Sequence, residues 1–140
     1  MALKSLVLFS LLVLVLLVLE GAQPSLAQDF QRKHMDTSNG PFGRTYCNQM
    51  MRRRNLLRRT FNTFVHASLA AVQAVCREPN IRCRNGQNNC HRSRNQMSIT
   101  DCILTRRRPS PNYRTINRRA SIIIACVGNP PVPVHFDGSR

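Results

Sequence analysis

Six cysteines, Cys47, Cys76, Cys83, Cys90, Cys102 and Cys126, constrain this chain more than any other feature, because all lie downstream of an apolar leader. Lys4 precedes an almost unbroken apolar run from Leu6 to Leu19. Pro24-Ser25-Leu26-Ala27 follows, with small residues at 25 and 27 where signal peptidase reads them. The run is shorter than the ~20 residues a membrane span needs. Residues 1–27 are therefore expected to be a signal peptide, and residues 28–140 one secreted, extracellular domain. An even number of cysteines on an oxidising route predicts a three-disulfide framework. Zinc is the competing use of the thiols, but no close pair has the gap of about two to four residues typical of a zinc knuckle. No metal or other cofactor is expected. The chain has no Asn-x-Ser/Thr sequon, so no N-linked glycan is expected either.

A domain of this size buries a modest core and leans on cross-links. Its charge is the second constraint. Removing the leader takes away Lys4 and Glu20 and leaves a net charge of +15, carried by 19 arginines and Lys33 against Asp29, Asp36, Glu78, Asp101 and Asp137. Such a field attracts polyanions, whether RNA, DNA, glycosaminoglycan or anionic membrane, with affinity that falls steeply as salt rises. It exceeds what solubility requires.

The order of elements predicts an α+β domain, helices first and strands afterwards. Phe30 to Met35 reads as a helix, with Phe30, His34 and, less neatly, Lys33 on adjoining faces. Thr37-Ser38-Asn39-Gly40-Pro41 ends it with turn chemistry. A second helix is predicted from Tyr46 to about Leu57, turning Cys47, Met50, Met51 and Leu57 inward and leaving Arg52, Arg53 and Arg54 largely outside. Ser68 to Cys76 reads as a third, capped by Ser68. Asn62-Thr63-Phe64-Val65-His66 alternates as a half-buried strand, and Gln96–Leu104 and Ser121–Val127 read as two more. Asn85-Gly86 marks a tight turn inside a loop that a Cys83–Cys90 disulfide could close. Arg106 to Pro111 is a loop, and the prolines of Pro131–Asp137 make that segment an edge strand carrying His135.

A fold that joins the chain's two ends would pair His34 with His135. Two imidazoles near neutral pKa, one taking a proton and one giving it, suit displacement at a phosphodiester. The residues around them carry a resemblance. Phe30-x-x-x-His34-Met35-Asp36, Tyr46-Cys47-Asn48-Gln49-Met50-Met51, Asn62-Thr63-Phe64-Val65-His66, Val72-Gln73-Ala74-Val75-Cys76, Cys83-x-Asn85-Gly86-Gln87-x-Asn89-Cys90, Ile99-Thr100-Asp101-Cys102 and Val132-Pro133-Val134-His135-Phe136-Asp137 closely resemble the pancreatic-type ribonucleases, the ribonuclease A superfamily, in order along the whole mature chain.

The resemblance implies a ribonuclease A-like fold, with three helices packed on a V-shaped antiparallel sheet that holds RNA in a cleft. It implies His34 as the general base toward the ribose 2′-hydroxyl and His135 as the general acid toward the departing 5′-oxygen. Asp137 would orient His135, and the Phe136 backbone N–H would contact the phosphate. Thr63 would read the upstream pyrimidine, with Asp101 steering its hydroxyl, Asn62 beside it would bind substrate, and Gln87 and Asn89 would meet the downstream base. Disulfides implied in the same way are Cys47–Cys102, Cys76–Cys126 and Cys83–Cys90. His66 and His91 match positions outside the site. A monomer is expected, with a ribonuclease inhibitor as a further partner.

Four departures from the family pattern bear on activity. Arg58-Arg59 stands where the family has Cys-Lys, and that lysine stabilises charge on the phosphoryl oxygens in the transition state. Arg59 keeps the charge, but its planar fork is not a compact ammonium, so activity is expected to fall by about one to three orders of magnitude. The partner of the missing cysteine is absent too, near Pro111, which should loosen the strand carrying Arg59. Lys33 replaces a glutamine that contacts the phosphate, and Val127 replaces an acidic residue near the downstream base. A second class of function is a cationic antimicrobial or polyanion-binding protein with catalysis incidental, favoured by the arginine runs at 52–54 and 106–108.

Overall fold

The computed structural model describes residues 2–21 and 25–140; Met1 and residues 22–24 of the expected leader lie outside the described residues. Helix α1 (Ala2–Gly21) takes up the apolar run. Its Leu6, Leu8, Phe9 and Leu14 are exposed, so these leader side chains add nothing to the domain's core. Among the described residues no helix is long and apolar enough to cross a membrane.

Helix α2 (Leu26–His34) starts four residues ahead of Phe30 because Ser25 and Gln28 form a capping box: each side chain accepts the other's backbone N–H at 3.1 Å. It buries Phe30 and His34, one helical turn apart. Helix α3 (Tyr46–Arg53) stops four residues short of the predicted end at Leu57. Asn55 takes a left-handed conformation (φ 59°), and the Leu56 N–H donates back to the Met51 carbonyl at 2.8 Å, closing the helix. The chain then turns Leu56 into the core, with Leu57 half-buried against it. It also draws Arg54 inward, against the prediction that it lies outside. Arg54 Nη1 donates to the Gln31 and Arg32 carbonyls of α2 at 3.1 and 2.8 Å, and its guanidinium lies 5.9 Å from the Phe64 ring centre.

Strand β1 (Phe61–Val65) is buried at four of its five positions, more than its half-polar pattern predicts. Helix α4 (Leu69–Val75) is capped by the Ser68 hydroxyl. The strands β2 (Cys90–Arg92), β3 (Met97–Arg106), β4 (Asn112–Ala120), β5 (Ile122–Val127) and β6 (Val132–Ser139) follow. The sequence reading places no strand between Pro111 and Ser121, yet β4 fills that interval as the partner of β3. Its alternation is dominated by Arg and Asn, and only Tyr113 and Ala120 are buried, so it offers almost no apolar periodicity.

The strands form two antiparallel three-stranded sheets, in the orders β1-β3-β4 and β2-β5-β6. Helix α2 packs on both, against β1 of the first and β6 of the second, and this carries His34 to the seam between them. One core lies beneath α2 and α4 against β5, around Phe30, Val72, Ile122 and Ile124. The other lies under α3, around Met51, Phe64 and Tyr113. Disulfides Cys47–Cys102 and Cys76–Cys126 fasten α3 to β3 and the end of α4 to β5, and Cys83–Cys90 closes the turn at Asn85-Gly86, where Gly86 has φ +90°. Each closed loop stabilises the fold by ~2–4 kcal/mol.

Candidate active site

A cleft of about 410 Å³ opens at the seam, with α2 and β1 on one side and β6 on the other. His34, the last residue of α2, is 6% exposed. Its Nδ1 lies 2.9 Å from the Thr63 carbonyl oxygen of β1. A carbonyl can only accept, so Nδ1 carries the proton and Nε2 of the neutral ring keeps its lone pair. Phe136 of β6 stacks on the ring at 5.2 Å. Burial, foremost, lowers the His34 pKa to about 4; the Thr63 hydrogen bond opposes this, and the nearby positive charges of Arg59, Lys33 and His135 add to it.

His135, on β6 beside the cleft-lining Phe136, is not itself among the lining residues, and its side chain is 55% exposed. Its Nε2 lies 3.2 Å from Asp137 Oδ1, an acceptor-only carboxylate. Nε2 therefore holds its proton, and Nδ1 is the nitrogen left to gain or lose one. The two rings present opposite nitrogens, His34 fixed by the Thr63 carbonyl of β1 and His135 by Asp137 two residues on in its own strand. Asp137 is itself held by the Arg84 backbone N–H, at 3.1 Å to Oδ2.

Thr63 donates its hydroxyl to Asp101 Oδ1 at 2.8 Å across the β1–β3 pair. Asn62 donates to the Lys33 carbonyl at 2.8 Å and accepts from Arg59 Nη1 at 3.0 Å, so it links α2 to the one cation that precedes β1 and lines the cleft. Burial and the Arg32 charge push the Arg59 guanidinium pKa down from its ordinary value, though a guanidinium keeps its proton in any protein setting.

Other candidates sit further out. Lys33 is paired with Asp29 at 2.8 Å and does not line the cleft. Asn89 uses its amide on the Cys126 carbonyl, and Gln87 is exposed in the disulfide loop. Val127 is exposed. His66 is packed on Phe42 at 3.8 Å between Asp36 and Thr100, and His91 contacts the Glu78 carbonyl, both away from the cleft.

Phe61, Arg84, Arg118, Gly138 and Ser139 line the cleft although nothing in the sequence reading singled them out. Phe61 shares a face with Thr63 by strand alternation, a signal that was available. Arg118 reaches in from β4, donating from Nε to Asp101 Oδ2 at 2.7 Å and from Nη2 to the Ser139 hydroxyl. Arg84 lies over Gly138, where a Cβ would come within 2.8 Å of its guanidinium. No sequence periodicity announces either contact.

The segment carrying Arg59 is not untied by the missing cysteine pair, contrary to expectation. Arg107 and Tyr113 donate to the carbonyls of Leu57, Arg58 and Arg59, so hydrogen bonds stand where a disulfide does not.

Fold and cleft together define a small disulfide-bonded α+β protein with two oppositely oriented imidazoles beside a cation, an arrangement for acid–base chemistry on an anionic substrate. The chain belongs to the pancreatic ribonuclease family, whose profile matches residues 25–137. It is 54% identical to the pancreatic ribonuclease of Lemur catta over 147 aligned positions, covering 97% of this chain and 94% of that protein. It is 53% identical to the pancreatic ribonuclease of Lagothrix lagotricha, with the same shares of each chain covered, and 50% to the gamma-type pancreatic ribonuclease of Rattus norvegicus, covering 97% of both.

Proposed function

We propose that the protein is a secreted endoribonuclease that cleaves RNA on the 3′ side of pyrimidines, by transphosphorylation to a 2′,3′-cyclic phosphate followed by hydrolysis. The observation that carries this reading is the pair of imidazole orientations. His34 Nε2 takes the proton of the ribose 2′-hydroxyl, and the freed oxygen forms a bond to phosphorus. The bond from phosphorus to the 5′-oxygen breaks, and His135 Nδ1 supplies the proton that oxygen needs. In hydrolysis the roles reverse, with water in place of the 5′-hydroxyl. DNA lacks the nucleophile and is spared. Arg59 and the Phe136 N–H stabilise the phosphoryl oxygens, and Thr63 faces the pyrimidine with its hydroxyl set by Asp101. Gln87 is left to meet the downstream base, since the Asn89 amide is engaged.

Leader removal after Ala27 belongs to the same proposal. It takes away the Ser25 cap but leaves Asp29 in the first turn, where a carboxylate favours a helix N-terminus. The secreted product is taken as a monomer open to a ribonuclease inhibitor.

The test is cleavage of a pyrimidine–purine dinucleotide by refolded Gln28–Arg140. The expected product is the cyclic phosphate, and His34→Ala and His135→Ala should each lower the rate by about 100- to 10,000-fold. Undiminished cleavage by the double-histidine variant would overturn the assignment. A second reading, polyanion binding by the arginine runs, is favoured by one observation. Among the described residues only Arg32, Lys33 and Arg118 of the basic Lys and Arg side chains pair with a carboxylate. That reading predicts that the double-histidine variant still binds anionic vesicles in a salt-sensitive way.

A further inference from the structure

Arg59 sits in a segment, residues 54–60, that has no regular secondary structure to fix where its side chain points. Its own N–H makes only a local bond, to the Leu56 carbonyl at 3.0 Å. From outside, α2 holds Arg54 and the Leu104 N–H holds the Thr60 carbonyl at 2.8 Å, whereas residues 57–59 between them are held by a single stretch of chain. Arg107 donates from Nη1 to the Leu57 carbonyl at 3.0 Å and from Nη2 to the Arg58 carbonyl at 3.3 Å. The Tyr113 hydroxyl donates to the Arg59 carbonyl at 2.6 Å. Three consecutive carbonyls are thus gripped from the β3–β4 connection and the start of β4.

We propose that Arg107 is a positioning residue for Arg59, acting as a non-covalent clasp between the Arg-Pro loop and the segment that leads into β1. Its planar fork reaches two neighbouring carbonyls at once, which a lysine ammonium at the end of a flexible stem does not reproduce. Arg107 does not line the cleft, so its effect passes through Arg59. Because it is exposed, its bonds compete with water and add little to overall stability. Catalysis is more sensitive, since a displacement of about 1 Å in a charged group can cost a large factor in rate. The inference rests on the proposed role of Arg59 at the phosphate.

The experiment measures kcat and KM for a pyrimidine–purine dinucleotide, using the full chain expressed through a secretory route. Arg107→Ala and Arg107→Lys are compared in the native and Arg59→Ala backgrounds. Arg107→Ala should lower kcat about three- to tenfold with KM and Tm nearly unchanged. Arg107→Lys should recover less than half of that loss, and neither change should matter once Arg59 is alanine. A loss confined to KM and abolished by salt or by lysine would make Arg107 a surface charge and nothing more. An equal loss in the Arg59→Ala background would make it a general structural residue; either result overturns the proposal. If Arg59→Ala alone leaves kcat intact, the role of Arg59 fails first, a result distinct from both.

Discussion

At His34 two effects oppose each other on one ring, and burial wins over the Thr63 hydrogen bond. The unfolded ring takes a proton near 6.5, the folded one at about 4. Between those values the unfolded chain holds more protons, so stability falls as pH drops from 6.5 and the loss is complete near the folded value. Up to ~3 kcal/mol is at stake from this residue. His66, lowered chiefly by its own burial, acts in the same sense. Thermal unfolding between pH 7 and pH 4.5 should therefore show a falling Tm, reduced in His34→Asn. The same burial keeps His34 competent as a base in acid, so kcat/KM should hold below pH 6.5; an acid limb centred at 6.5 would mean that the ring is solvated in the free enzyme. The Arg59 substitution makes a separate prediction. Lysine there should raise kcat by about 10- to 1,000-fold, because a compact ammonium meets the phosphoryl oxygens without the hydrogen bond that ties the arginine to Asn62. Unchanged cleavage by Arg59→Lys would remove that residue from the role.

Among the elements, α3 ends on one residue's conformation rather than on its pattern. Asn55 has φ 59°, and alanine in that left-handed region costs ~1 kcal/mol, whereas glycine adopts it freely. Urea unfolding should show Asn55→Ala destabilised by about that amount and Asn55→Gly within about 0.5 kcal/mol of the native chain. This point also marks where sequence legibility stops. Met50, Met51 and Leu57 continue a helical spacing that predicts the helix onward to Leu57, and nothing periodic records a left-handed residue. Helix α4 and strands β3, β5 and β6 are legible because caps, apolar alternation and prolines agree along them, whereas α2 is legible only from Phe30, its Ser25 cap lying within the expected leader. Strand β4 is not, since its identity lies in its pairing with β3 and its exposed positions are arginine-rich. The site followed the same division. His34, Thr63, Asp101, His135 and Asp137 sit in motifs continuous in sequence, whereas Arg84 and Arg118 enter the cleft only through tertiary placement.

The whole molecule carries +15, and its distribution decides how RNA longer than a dinucleotide is held. Arg52, Arg53, Arg106 and Arg108 are exposed and line no part of the cleft. Arg107 brings the Arg-Pro loop against Leu57 and Arg58, within the segment that delivers Arg59. Exposed Arg106 and Arg108 flank the arginine that makes this contact. Each phosphate neutralised on single-stranded nucleic acid adds about 0.7 to the slope of log affinity against log salt. If these four arginines hold phosphates, replacing all four with alanine should make that slope shallower by roughly 2–3 for a long RNA. Dinucleotide cleavage should not change, because a dinucleotide does not extend past the cleft. Equal slopes for the two proteins on long RNA would confine binding to the cleft itself and assign the outer arginines no part in holding substrate.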